Sequence, residues 1–221
     1  MDVKEIYDLL RAGGLSRAGA LGMLGNMGAE SGLKENIAQR GMTKLSDDQY
    51  TAAADNGFID FANDAVGYGL CQWTFRTRKA ALMQFANTCG VSVGNGAMQV
   101  EFCLKELLEG YPALWQFLRE TNSIDEASDR ICKEFERPAV NNLLTRRDFA
   151  HGYETELPDE LPKPVKPKDP VEATFPPDVT IIALQMWMWR NGYWGAEKIT
   201  GYKSAEFFAK LREMINDMEG C

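Results

Sequence analysis

The sequence predicts a mainly α fold: a helical domain with a small irregular or β insertion, followed by a short C-terminal helical module. Three observations carry that expectation. Apolar residues recur at three- and four-residue spacing in successive segments, with serine or asparagine at several starts and glycine or proline at several ends. Residues 34–66 break the pattern, being polar and irregular, with Asp47, Asp48, Asp55, Asp60 and Asp64 among them. A stretch holding Pro158, Pro162, Pro164, Pro167 and Pro170 cannot be helical and reads as a stiff, extended linker. The chain therefore divides into a domain over residues 1–155, a linker over 156–177 and a small module over 178–221.

The first element is a short amphipathic helix that turns Val3, Ile6, Leu9 and Leu10 inward. Ser16 caps a second helix running to about Ser31, and Gly32 is placed to end it. Gly19, Gly22, Gly25 and Gly28 recur in that helix, each costing about 0.8–1 kcal/mol against alanine. Close backbone packing of a buried helix is the reading that justifies such a cost. The segment 34–66 fits a small hairpin, a short helix or a flap. Helices follow near 76–88, with Leu82, Phe85, Ala86 and Cys89 on one face, and then at 97–109 and 112–120. Ser123-Ile124-Asp125-Glu126 fits a capping box for a helix reaching about Glu136, and Pro138 stops it. A last helix of the domain spans about Asn142 to Tyr153. Beyond the linker, Val179 to Arg190 and Ser204 to Met218 read as two helices, the first dense in Trp and Met. That density implies a tiny core or a binding face.

Composition removes several classes of function. Of 221 residues, 45% are apolar and 25% charged, which is globular usage rather than disorder. Lys and Arg number 24 against 32 Asp and Glu, and the net charge is −8. There is no basic stripe, so nucleic acid is not expected as a partner. An acidic surface also gives no long-range attraction to an anionic wall or membrane, so wall binding must rest on local contacts. No apolar run approaches the length of a membrane span. The five cysteines, at 71, 89, 103, 132 and 221, form no CxxC, and the one histidine is His151. No metal site and no cofactor are expected on that inventory, and most of the cysteines read as reduced core residues. The charged start Met1-Asp2-Val3-Lys4-Glu5 has no apolar stretch behind it and predicts no signal peptide.

Chemistry concentrates at two places. Glu30 ends the apolar, glycine-punctuated helix and is followed by Ser31-Gly32-Leu33. The edge of an apolar helix is an environment that equips a carboxyl to donate a proton. The second place is Gly67-Tyr68-Gly69-Leu70-Cys71-Gln72-Trp73-Thr74. Gly67 and Gly69 permit a tight backbone beside a ligand. Tyr68 and Trp73 are candidates to stack on sugar faces, and Gln72 offers a donor and an acceptor to an N-acetyl or hydroxyl group. Taken singly, each has a plainer reading: a solvated helix-end glutamate, and a turn with buried aromatics.

Asn26-Met27-Gly28-Ala29-Glu30-Ser31-Gly32-Leu33, then Gly67 to Thr74 with Arg78 beyond, resembles the phage tail lysozyme family of peptidoglycan hydrolases. Phe135-Glu136-Arg137-Pro138, with Arg147 and Ala150 after it, is similar to that family's closing segment. The Glu-Ser pair and the Gly-Leu-x-Gln core are shared more loosely with goose-type lysozymes and soluble lytic transglycosylases. The resemblance covers roughly residues 15–155 and implies a lysozyme-like α-rich fold. It also implies that Glu30 is the general acid on the glycosidic oxygen between N-acetylmuramic acid and N-acetylglucosamine. Ser31, Tyr68, Gln72, Trp73 and Arg78 are then the expected substrate-binding residues, and bacterial peptidoglycan the expected partner.

A glycosidase of this kind needs a base about 6.5–9.5 Å from the acid, or a nucleophile about 5–5.5 Å away. Asp64 is the first candidate for that second carboxylate, followed by Asp60 and Asp55, although each alone reads as a solvated loop residue. If no aspartate reaches Glu30, lytic transglycosylase chemistry with a 1,6-anhydro product becomes the alternative. Two further readings stand beside these. One is an inactive wall-binding or tail-structural module. The other is an amidase or peptidase using Cys71 as thiol nucleophile and His151 as base, against the plainer reading of Cys71 as an apolar wall residue. Arg78 braces the glycine loop or meets a muramyl carboxylate, and Arg146 and Arg147 either orient carboxylates or, as is commoner, face solvent. Without a signal peptide, the expected route to the wall is holin-type release or a place in the virion tail.

Overall fold

Side-chain caps at Ser16, Ser46, Asn95, Ser123 and Asn142 each accept a backbone N–H three residues on, and each opens a helix. A computed structural model describes residues 1–138 and 140–157. Eight α-helices run in the order α1 (Val3–Ala12), α2 (Arg17–Ser31), α3 (Asp47–Asp55), α4 (Arg76–Cys89), α5 (Gly96–Gly110), α6 (Pro112–Glu120), α7 (Ile124–Arg130) and α8 (Leu143–Glu154). A π-helical segment, Ile131–Glu136, continues α7. Apart from α3, whose segment the sequence left open between hairpin, short helix and flap, the sequence places these helices to within a residue or two. The helix expected to run unbroken to Glu136 instead widens to π geometry over its second half. Of the expected capping box at Ser123, the Ser123 side chain accepts from the Glu126 N–H.

The fold is mainly helical and lysozyme-like, built around α2. Residues Ala18 to Gly28 of that helix are all buried, as a helix enclosed on every side must be. It packs against α8 and α7, and against α1 and α6. Its glycines are what let those neighbours approach. A methyl group at Gly22 would lie 2.7 Å from the Ala127 Cβ of α7, and one at Gly25 would lie 2.4 Å from the Arg146 carbonyl oxygen of α8. Gly32 ends the helix in the left-handed conformation, φ 62°, and returns its N–H to the Gly28 carbonyl.

The polar insertion resolves into α3 and two isolated antiparallel bridges, Ala38 to Tyr68 and Tyr68 to Trp73. Ile6, Leu10, Met23, Trp73, Phe102 and Phe135 belong to one continuous core. Cys71, Cys89, Cys103 and Cys132 are buried and free. Leu157, which the sequence assigns to the linker, is buried against the domain. The proline-rich stretch from residue 158, the two expected C-terminal helices and Cys221 lie outside the described residues. No helix among the described residues is long and apolar enough to cross a membrane.

Candidate active site

The C-terminal end of α2 delivers Glu30 to a cleft of about 560 Å³. One wall is Ile37, Ala38, Gln39 and Arg40, the other is Cys71, Gln72, Thr74, Phe75 and Arg78, and the end of the π segment closes it with Glu136, Arg137 and Pro138. The two walls are sewn together by backbone. Gln39 N–H donates to the Gly67 carbonyl at 2.8 Å and Gly69 N–H to the Ile37 carbonyl at 3.0 Å. Gly69 has φ 73°, and a Cβ there would come within 2.5 Å of the Gln99 Oε1. That oxygen accepts the Leu70 N–H at 2.9 Å, while Gln99 Nε2 donates to the Glu35 and Val93 carbonyls. A fully buried glutamine therefore fixes the glycine loop from below.

Glu30 has a cation for a neighbour. Arg146 of α8 places Nη2 2.5 Å from Glu30 Oε1 and Nη1 2.9 Å from Asn26 Oδ1. The guanidinium side chain is 6% exposed and the Glu30 side chain 20%. Solvent is thus the wrong environment for Arg146, which orients the carboxylate at the cleft floor. Asn26 is in turn held by the Gly22 and Ser128 carbonyls. Arg147, one residue on, faces outward and pairs with Asp129 through Nε and Nη2.

Glu136 is the second carboxyl of the cleft. It is 9% exposed, and its Oε1 is sealed from solvent with no hydrogen-bond partner among the described residues. Burial pushes its carboxyl up to about 8, the negative charge of Glu30 adds to the shift, and Arg78 and Arg146 oppose it. The residue sits at the last position of the π segment, ahead of Arg137 with φ 48° and Pro138. π-helical turns recur at functional sites because they re-aim one side chain. A carboxyl whose folded pKa is raised stabilises the fold fully below its unfolded pKa and loses that contribution as pH rises through the folded one. The shift from 4.5 to about 8 makes Glu136 cost on the order of 3 kcal/mol between pH 5 and pH 8. Glu136→Gln is expected to remove that slope, so denaturant titrations at the two pH values should show the variant gaining stability over the parent at pH 8.

The remaining expected site residues divide sharply. Gln72 lines the cleft, in a left-handed backbone conformation of φ 45°, with its amide donating to the Gly69 and Ile37 carbonyls. Arg78 also lines it but serves as a brace. Its Nε and Nη2 each lie 2.8 Å from the Glu106 carboxylate, and its guanidinium stands 4.5 Å from the Phe135 ring centre. Ser31 is buried, its hydroxyl 2.9 Å from the Met27 carbonyl and 3.0 Å from that of Leu70, which pins the glycine loop to α2. Tyr68 and Trp73 are not on the surface at all: both have 0% exposure. They pair across an antiparallel bridge, so their side chains share one face, and that face is the core. Trp73 Nε1 donates to Glu106 at 2.7 Å, and the Tyr68 hydroxyl meets Thr51. Neither ring is available to stack on a sugar.

Asp64 is not among the cleft residues. Its carboxylate is the counter-ion of Lys79, a fully buried lysine whose Nζ reaches Asp64 Oδ1 at 2.5 Å, Tyr50 at 3.0 Å and the Val66 carbonyl at 2.8 Å. A buried ammonium must be paired, and that requirement draws Asp64 away from Glu30. Asp60 accepts from Asn63, and Asp55 accepts the Val93 N–H. Cys71 does line the cleft but is 2% exposed, with burial raising its thiol far above the ordinary range and its Sγ against Cys103. His151 is exposed and held by Asp125 and Glu154. Cys71 and His151 do not meet.

Residues without an assigned role in the sequence now enter: Glu136, Phe75, Arg40 and Arg137. Phe75 is 59% exposed at the cleft wall, a large aromatic without a burial partner to explain it. The one signal for it in the sequence is an aromatic directly after the glycine loop and ahead of a helix. Among the described residues no group of three or more His, Cys, Asp or Glu is arranged to hold a metal ion. The arrangement left is two carboxyls, one ion-paired and one unpaired, facing a polar groove with an aromatic lip. That is equipment for acid–base chemistry on a polar substrate. No curated protein matches the chain. The family model of phage tail lysozymes matches residues 2–157, so the chain belongs to the phage tail lysozyme family.

Proposed function

We propose that the chain is a muramidase: it cleaves the glycosidic bond between N-acetylmuramic acid and N-acetylglucosamine in bacterial peptidoglycan, with Glu30 as general acid. The observation that carries this reading is that Glu30 lines one cleft together with Gln72 and the exposed Phe75. Glu30 gives its proton to the glycosidic oxygen as the bond from that oxygen to the anomeric carbon breaks. Water adds at the anomeric carbon and loses a proton to a carboxylate. Family membership supports peptidoglycan as the substrate and the virion tail as the setting. The segment over 178–221 is proposed to attach the enzyme to wall or tail.

A second reading has its own support. Among the described residues no aspartate lines the cleft, so the muramyl hydroxyl can take the place of water and close a 1,6-anhydro ring. Mass spectrometry of soluble fragments from purified peptidoglycan separates the two. Reducing-end muramic acid from the parent protein, absent with Glu30→Gln, is the expected result. Anhydro-muramic ends convert the assignment to a lytic transglycosylase with the same acid. Free peptides, or fragments unchanged in Glu30→Gln, overturn the glycosidase reading.

Phe75 is proposed to stack on a sugar face in place of the buried Tyr68 and Trp73. Phe75→Ala is expected to raise KM about tenfold with kcat nearly unchanged, because a lost aromatic contact of about 1–1.5 kcal/mol acts equally on ground and transition states. Thermal stability should not fall, since the ring is exposed. An unchanged KM on glycan fragments removes Phe75 from the binding surface.

A further inference from the structure

Glu30 meets a difficulty as an acid. A general acid must hold a proton when substrate arrives, yet the Glu30 carboxylate is ion-paired with the buried guanidinium of Arg146. Glu136 presents the reverse situation in the same cleft: it is nine-tenths buried, unpartnered at Oε1 among the described residues, and able to remain neutral there without leaving a charge unpaired.

We infer that Glu136 is the positioning partner of Glu30: the two carboxyls hold one proton between them, Glu136 keeps it in the resting protein, and Glu30 receives it for the bond-breaking step. The inference rests on the muramidase reading above. The exchange is balanced and needs no co-reactant. The O–H bond on Glu136 breaks, an O–H bond forms on Glu30, and the pair keeps one negative charge throughout. Before the exchange that charge is on Glu30 and faces Arg146. After it, the charge is on Glu136, where Arg78 of α4 and Arg146 of α8 both act to stabilise it. Arg146 thus serves both states, and Glu30 is released from its ion pair at the moment it becomes the acid.

The groups facing Glu136 agree with this from every side. Glu30 on α2 and Glu106 on α5 favour its neutral form, while Arg78 and Arg146 oppose it. The buried thiols of Cys71 and Cys132 are electrostatically linked to it, and both are raised rather than ionised. Arg40 and Arg137 line the same cleft. Glu136 is the carboxyl displaced to high pH, by burial first and then by the negative charge of Glu30. The π segment fits the same picture. Its wider turn carries Glu136 to the cleft and ends immediately, at the left-handed Arg137 and at Pro138.

The test is the pH dependence of kcat/KM on soluble glycan fragments for the full chain, Glu136→Gln and Glu136→Asp. The parent should hold its rate until about pH 8, where Glu136 gives up its proton. Glu136→Gln, with no proton to lend, should show its alkaline limb moved more than about one unit to the acid side. Its rate should fall by about tenfold or more at pH 7.5 and recover toward that of the parent near pH 5. Glu136→Asp should restore part of the alkaline limb. A loss by the same factor at every pH, or a limb left in place, overturns the inference and leaves Glu136 a structural residue. A carbon-13 NMR titration of the glutamate carboxyls gives a readout independent of turnover. One carboxyl should titrate near pH 8 and move down in Glu30→Gln; none titrating above about pH 6 overturns the proposal. Absence of glycan cleavage by the parent protein sinks the muramidase reading alone, and the NMR titration still decides the proton pair.

Discussion

Glu30→Gln is expected to lower glycan cleavage by about 10²–10⁴-fold, the range that general acid catalysis contributes. In barrier terms this is about 3–5 kcal/mol at 1.36 kcal/mol per decade. The amide is nearly isosteric with the carboxyl but has no transferable proton, so binding should survive and kcat should carry the loss. Stability should also respond, because the substitution leaves Arg146 with Asn26 as its remaining hydrogen-bond partner among the described residues, in a site where its side chain is 6% exposed. A buried charge that loses its counter-ion is costly, though the 20% exposure of Glu30 moderates the penalty. Kinetics and thermal unfolding on the same preparation therefore distinguish chemistry from folding. A rate loss below about tenfold would remove Glu30 from the role of acid.

Gly25→Ala is expected to destabilise the domain by about 3 kcal/mol, although alanine is the better helix former by about 1 kcal/mol. The added methyl would sit 2.4 Å from the Arg146 carbonyl oxygen and 2.7 Å from the Ala150 Cβ. The carbonyl is backbone and cannot rotate away, so α2 and α8 must separate. The cost belongs at the upper end of the overpacking range and corresponds to a fall in Tm of about 8 °C. The same separation would draw Arg146 off Glu30, so activity should fall with stability. Gly152→Ala on α8 is the control. It has no neighbouring atom within 4 Å of the added methyl and is expected to gain about 0.5–1 kcal/mol. If Gly25→Ala raised Tm, the close contact between α2 and α8 would not exist in solution.

The sequence was most legible where local chemistry decides the outcome. Ser16 caps α2 and Gly32 ends it because a side-chain oxygen and a left-handed backbone satisfy helix ends without help from elsewhere. The four glycines announced a buried helix because only close packing offsets their cost. Glu30 was legible for the same reason: its place at the end of that helix follows from the helix itself. Side-chain direction in the loops was not legible in this way. Tyr68 and Trp73 have the composition of a sugar-binding surface, yet the bridge between them turns both rings inward. Asp64 is the first candidate for a catalytic base in the sequence, yet it is claimed by Lys79 from α4, fifteen residues away.

The sequence by itself determined most of the helices and their approximate boundaries, the central glycine-lined helix and the carboxyl at its end. Those properties depend on contacts within a turn or two of chain. Only the tertiary structure decided which groups surround that carboxyl. Arg146 reaches Glu30 across 116 residues, and Glu136 arrives in the same cleft from the π segment. The charge state of a carboxyl is set by its neighbours in space through burial and Coulomb interaction, and neither is written in the residues beside it in the chain.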